Sequence, residues 1–174
     1  MSYVIAIDVG IKNLGMCVFD YLTSRVVLWE NETLVPNGRY MPSNNVAYVR
    51  AFVQKHNSYF DNCAVLLVER QMRCNMKIIE AILQTMFFPN CIVLSARSVK
   101  AHYDLCTKNY KNNKAVAVEW ARAFVDANPG VFSAHSLLHT DAKSPFLTAK
   151  KQDDYADSLL LVCYYLDTYS NQLT

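Results

Sequence analysis

Glycine is scarce in this sequence, with four among 174 residues. A protein that closes two lobes on a nucleotide needs a second lobe and a second glycine-rich phosphate loop. Neither the glycines nor the length supplies them. This sets aside the sugar-kinase and actin-like ATPases, although their first strand also ends in an Asp-x-Gly turn. A surplus of one charge is lacking too: 17 Lys and Arg stand against 15 Asp and Glu, a net +2. A nucleic-acid partner would therefore meet a local basic surface rather than a polycation. The six cysteines, Cys17, Cys63, Cys74, Cys91, Cys106 and Cys163, form no Cys-x-x-Cys pair. They are expected to be reduced, buried thiols, and no clustered ligands for a structural zinc stand out. No apolar run reaches the length of a membrane span, and the N-terminus carries neither a basic segment nor a small-residue cleavage site. The expectation is a soluble, intracellular protein with no membrane partner.

What is present is core. The hydrophobic fraction is 52% and the charged fraction 18%, which favours one compact domain over residues 1–174. Apolar runs at 3–9, 14–20 and 25–33, joined by short connections, read as an antiparallel meander. Pro36, Gly38 and Pro42 mark 36–45 as loop. Val46, Val49, Phe52, Val53 and His56 predict a helix over 44–58, capped by Ser43 or Asn44. The unbroken apolar run 63–69 suits a strand buried on both faces. A stripe from Met72 through Met76, Ile79 and Leu83 to Met86 predicts a helix stopped by Pro89, and 91–95 a fifth strand. Residues 96–114 read as a polar stretch, 113–127 as a helix, 128–150 as loop, and 151–169 as a last helix. The class is α/β, a mixed five-stranded sheet with helices on its faces.

Two acids break the apolar pattern. Asp8 and Glu69 each end a hydrophobic strand, and ionised carboxylates are rarely buried without a partner. If those strands are central and parallel, both acids share the C-terminal edge of the sheet, where ligand chemistry collects. Asp154 and Asp157, three apart at the start of the last helix, lie on one of its faces. Asp153 points elsewhere and is a weaker candidate. Four converging carboxylates repel one another unless a hard divalent cation, Mg2+ or Mn2+, sits among them. Such ions activate water and stabilise the leaving oxygen of a phosphodiester. Each acid has an ordinary alternative: a turn at Gly10, a Glu69–Arg70 ion pair, or helix-dipole complementation in the last helix.

Basic residues flank these acids. Arg97, Lys100, Lys108, Lys111 and Lys114 face one acid, Asp104, in their stretch, and Lys143, Lys150 and Lys151 precede the acidic helix. With Lys12 and Arg70 beside the strand-end acids, they suit phosphate contacts, or else form a solvated surface. Lys114, at a helix start, suits charge developing on a scissile phosphate, and Lys111 is the alternative. Tyr103, Tyr110 and Tyr155 are candidates for stacking on bases. His102, His135 and His139 read as surface or loop residues.

Ile7-Asp8-Val9-Gly10-Ile11-Lys12-Asn13, Leu66-Leu67-Val68-Glu69-Arg70-Gln71 and Asp153-Asp154-Tyr155-Ala156-Asp157-Ser158 together resemble the Holliday-junction resolvases of large DNA viruses. The likeness is to poxvirus and iridovirus types, RuvC-like members of the RNase H-like superfamily, and it runs from Tyr3 to about Leu166. It implies an RNase H-like sheet, a homodimer, and paired symmetric incisions in a four-way DNA junction with Mg2+ or Mn2+. It also implies a place of action at viral DNA replication in the host cell. Asp8, Glu69, Asp154 and Asp157 match the family's four acids, and Lys114, with Lys111 close behind, its lysine before the third helix. Leu14-Gly15 stands where the poxvirus pattern usually has Pro-Ala. Asn112 and Asn113 thin the lysine cluster.

A two-fold dimer also suits the approximate two-fold symmetry of a four-way junction. The three methionines of the 72–88 helix serve either that contact or the core. Two other functions remain open: an RNase H-like nuclease acting on RNA–DNA hybrids or flaps, and a module that binds branched DNA without cutting it.

Overall fold

The computed structural model describes residues 2–35, 38–107, 110–132 and 145–169. Five strands form one sheet: β1 (Tyr3–Asp8), β2 (Leu14–Asp20), β3 (Arg25–Glu32), β4 (Cys63–Glu69) and β5 (Cys91–Leu94). Their spatial order is β3-β2-β1-β4-β5. The first three strands pair antiparallel, and β4 and β5 join β1 in parallel. The short connections close the meander as expected, while each parallel strand is reached through helical crossovers.

Helices cover both faces. On one lie α1 (Asn45–Lys55), α2 (Asn57–Phe60) and α3 (Cys74–Met86). On the other lie α4 (Ala96–His102), α5 (Tyr110–Ala127) and α7 (Gln152–Tyr169), with a short α6 (Pro145–Thr148) before α7. The period-2 alternation of β1 divides the core between them. Ile5 and Ile7 pack with Val49, Phe52, Ile79 and Leu83, whereas Val4 and Ala6 pack with Val99, Ala117, Ala121 and Leu160. The sheet is thus buried on both sides, which is why β1 and β4 read as near-continuous apolar runs.

Several expected boundaries move. The helix expected over 44–58 is two helices that break at His56. Asn44 occupies the cap position of α1 without a side-chain bond, because a 3-10 turn over Pro42–Asn44 already satisfies the first amide through Pro42. The 96–114 stretch is not all irregular. It contains α4, whose only buried residue is Val99, too little for a helical period to show. Likewise α5 starts three residues before the expected 113. Within the expected 128–150 loop lie a 3-10 turn, Pro129–Val131, and α6. All six cysteines are free, but only Cys17, Cys63 and Cys163 are buried. Cys91 is partly covered, and Cys74 and Cys106 are exposed, contrary to the expectation for the set. No described helix is long and apolar enough to cross a membrane.

Candidate active site

Asp8 and Glu69 end neighbouring parallel strands, and the register pairs Ile7 with Val68 immediately before them. Both carboxylates therefore emerge at the same edge of the sheet. The third source is α7, which lies across β2 and β1. It comes close because position 15 is glycine: a Cβ there would overlap the Asp154 carbonyl oxygen. The departure noted at Leu14-Gly15 thus has a local reason in the seating of α7. Two side chains of edge strand β3 hold the same turn. Trp29 Nε1 donates to Tyr155 O at 2.9 Å, and Asn31 Nδ2 donates to Asp154 Oδ2 at 3.0 Å.

These placements bring carboxylate oxygens of Asp8, Glu69 and Asp157 within 4.8 Å of one another. Asp154 lies at the margin, outside this trio, with one oxygen taken by Asn31. All four line a cleft of about 790 Å³, together with Lys12, Arg70, Lys114 and Lys151. Arg73, which drew no attention in the sequence, lines it as well.

The electrostatics of the trio are unresolved within the protein. Burial, then the charges of Glu69, Asp157 and Asp154, hold Asp8 well above the usual carboxylate range, with Lys100 opposing. Burial and the neighbouring Asp157 push Glu69 up to about 7. Asp157 is raised by burial against the pull of Lys100, and Asp154 by burial and by Asp153. One ammonium enters the cluster: Lys100 Nζ stands 2.8 Å from Asp157 Oδ1, both side chains largely covered. Burial disfavours its charge, but Asp157, Glu69 and Asp8 outweigh that and raise it above its ordinary value. The ammonium is the ion-pair partner of the buried Asp157 Oδ1.

Oxygen-only ligands and crowded, buried negative charge fit a hard divalent cation. Asp8, Glu69 and Asp157 are placed to hold it, with Asp154 adjacent.

The basic residues separate into groups. Lys100, grouped in the sequence with the phosphate contacts, is not on the outer surface; α4 turns it inward onto Asp157. Lys114 pairs with Asp153, whose burial is outweighed by this partner, so its carboxyl falls below the usual range. Asp153 is therefore the counterion of Lys114 rather than one of the trio. Lys150 and Lys151 line two grooves beside the cleft, one with Lys12 and Asn31, the other with Lys114 and Arg122. Arg97 is exposed on α4 and does not line the cleft. Lys108, His135, His139 and Lys143 lie outside the described residues, as do the side chains of Tyr110 and Lys111. His102 and Tyr103 are tied to Asp167 at 3.3 and 2.7 Å, away from the trio. Tyr155 is buried against Trp29 and Phe146, so its ring is core and not a stacking platform. Lys100, Asn31 and Arg73 are the residues whose place the sequence did not disclose.

Three comparisons bear on this arrangement. Among solved structures, the yeast mitochondrial Holliday junction resolvase Ydc2 matches at 20% identity over 99% of this chain and 86% of its own, with a TM-score of 0.65. The fowlpox virus Holliday junction resolvase matches at 19% identity over 95% of this chain and 98% of its own, also at 0.65. RuvC of T. thermophilus, in complex with a Holliday junction substrate, matches at 16% identity over 98% of both chains, at 0.54. At such identities the likeness establishes the RuvC-like, RNase H-like fold. No curated protein matches the sequence. The pattern of one family, described as Poxvirus A22 protein, matches residues 2–168, almost the entire length, and the chain belongs to that family.

Proposed function

We propose that this chain is a structure-selective endonuclease that resolves four-way DNA junctions by paired, metal-dependent hydrolysis of phosphodiesters. The observation that carries the reading is the buried trio of Asp8, Glu69 and Asp157 at the floor of a cleft rimmed by Lys12, Arg70, Lys114 and Lys151. An acidic floor under a basic rim suits a phosphate backbone drawn in by the rim and cut at the floor. The solved structures of the same fold include a fowlpox resolvase with its junction substrate. Residues 1–174 act here as a single nuclease domain.

Asp8, Glu69 and Asp157, with Asp154 beside them, would hold Mg2+ or Mn2+, which supplies positive charge against the scissile phosphate and makes the attacking water more acidic. The remaining work falls to the chain itself. Asn31 fixes one oxygen of Asp154, and Trp29 and Gly15 fix the turn that carries it. Lys114, at the cleft wall, is placed for charge developing on the phosphate oxygens; Lys111 is the alternative. Lys12, Arg70, Lys150 and Lys151 grip flanking phosphates, and Arg97 adds a contact outside the cleft; Lys108 and Lys111 stay candidates from the sequence alone. Lys100 belongs with the acids rather than with this track.

Paired incision calls for two copies. The face between α1 and α3 offers a surface for a second copy. Ile79 and Leu83 turn inward to the core, whereas Val46, Ile78 and Met86 are 49%, 45% and 42% exposed around an apolar groove of about 550 Å³. The stripe of the third helix is thus divided between core and surface. A two-fold contact here would give the junction two equivalent clefts. The place of action is viral DNA replication in the host cell.

The test is cleavage of synthetic four-way junctions, flaps and RNA–DNA hybrids in parallel, with the oligomeric state measured by sedimentation. Paired cuts confined to the junction, by a dimer, are expected. Preferred cutting of hybrid or flap would shift the reading to another RNase H-like nuclease. Tight junction binding with no cutting in any divalent metal would make this a binding module.

A further inference from the structure

A second group of ligand-type side chains stands outside the cleft, behind β3. Glu30 and Glu32 are two apart on that strand and share a face, while Asn31 between them points toward α7. His56 ends α1 and is 7% exposed. Its Nε2 lies 2.5 Å from Glu32 Oε1 and 3.3 Å from Glu30 Oε1. Lys55 Nζ also reaches Glu32 Oε1, at 2.7 Å. One oxygen is therefore served twice. The other, Glu30 Oε1, is buried with no hydrogen-bond donor.

An ion-pair network explains half of this arrangement. Lys55 and His56 compensate Glu32, and Lys55, 62% exposed in its side chain, is held by nothing else named in the cluster. The network does not explain why Glu30 is turned inward with its buried Oε1 facing His56 and lacking a hydrogen-bond donor. A cation that accepted electron pairs from all three side chains would explain it.

We propose that Glu30, Glu32 and His56 form a binding site for a divalent transition-metal ion of the zinc class, separate from the carboxylate cleft. Two carboxylates and one imidazole suit zinc, cobalt or manganese, whereas magnesium favours oxygen alone. The ligand atoms all lie within 4.8 Å of one another. A tetrahedral ion with bonds of about 2.1 Å sets its ligand atoms about 3.4 Å apart. The His56–Glu30 separation already meets this, and the His56–Glu32 separation has to open by about 1 Å. Lys55 swings into solvent as the ion arrives. The imidazole binds through Nε2 with its proton on Nδ1, the two carboxylates bind through oxygen, and any further proton these groups carry passes to solvent. A water completes the shell. The ion would tie the end of α1 to β3, the strand whose other face holds Asp154 through Asn31.

The site does not depend on the nuclease reading, and its test is independent of cleavage. The probe is Co2+, titrated into the full-length Asp8→Asn chain in excess Mg2+, with binding read by calorimetry and by the visible absorption of the ion. One Co2+ per chain is expected, with binding weakened at least about 10-fold by Glu30→Gln and by His56→Ala and unchanged by Cys74→Ser with Cys106→Ser. Glu30→Gln keeps the shape of the side chain, so it decides the matter even if His56→Ala unfolds. Absence of Co2+ binding, or binding indifferent to Glu30→Gln, overturns the proposal.

Discussion

In the cleft, Asp8, Glu69 and Asp157 have the ammonium of Lys100 in contact with Asp157 and that of Lys114 nearby; behind β3, Glu30 and Glu32 face an imidazole and the ammonium of Lys55. The titrations differ accordingly. Behind β3 the two acids part: Glu30 rises to about 8, while Glu32, despite its burial, is drawn down by Glu30, Lys55 and His56. Without an ion, one carboxyl keeps a proton and the other keeps its charge. In the cleft all three acids are raised together. Carboxylates left short of positive charge at the edge of an open basic cleft suit a cation and a phosphate, whereas the mixed carboxylate–imidazole group suits an ion alone.

The contrast can be broken by substitution, and the largest effect is expected at Glu69. Glu69→Gln should abolish junction cleavage while leaving junction binding intact, because it removes a metal ligand and relieves repulsion toward phosphate. Glu32→Gln, in the other cluster, should leave cleavage close to wild type. Single-turnover nicking and gel-shift assays on the same junction separate the two clusters.

Next in size is Lys100→Met. It removes the ammonium in contact with Asp157, and a loss of about 10²–10³-fold in cleavage is expected, the range for a preorganised charge in an active site. The same change in an exposed cation such as Arg97 should cost far less. Equal losses would return Lys100 to the outer DNA track.

Asn31→Ala is expected to weaken Mn2+ binding by about 10–100-fold, the usual cost of losing a group that orients a ligand. Calorimetry of the free protein reads this directly.

The smallest effect is on stability. Glu69 titrates near 7 in the folded chain, against an ordinary value of 4.5. Between those values the folded state binds more protons than the unfolded state, so stability in EDTA falls as pH rises from about 4.5 to about 7. Above that the loss from this group is complete. Saturating Mg2+ should flatten the trend, and thermal melts across pH with and without the metal measure it.

Much of this was legible in the residues. Asp8 and Glu69 stood out because each ends a run that is otherwise apolar, and strand polarity then sends both to one edge. Asp154 and Asp157 were legible from helical spacing. Lys100 was not, because α4 has seven residues and one buried side chain, so nothing in the sequence tells its inward face from its outward one. Asn31 was not legible either: an amide on an edge strand acquires meaning only from what packs over it, here the first turn of α7. The Glu30–Glu32–His56 group shows no clustering in the sequence because its members come from a strand and from the end of a helix more than twenty residues on. Tyr155 misled in the other direction, since its aromatic ring was taken up by the core around Trp29.

The central claim is that the acids of the cleft cut a junction through a bound divalent ion. Its most direct test is an immobile four-way junction incubated with wild-type protein and with Asp8→Asn, each in Mg2+ and in EDTA. The account expects paired symmetric nicks for wild type in Mg2+ alone, and shifted but uncut junction in the other three lanes. Nicking by wild type in EDTA, or by Asp8→Asn at the wild-type rate, would contradict it.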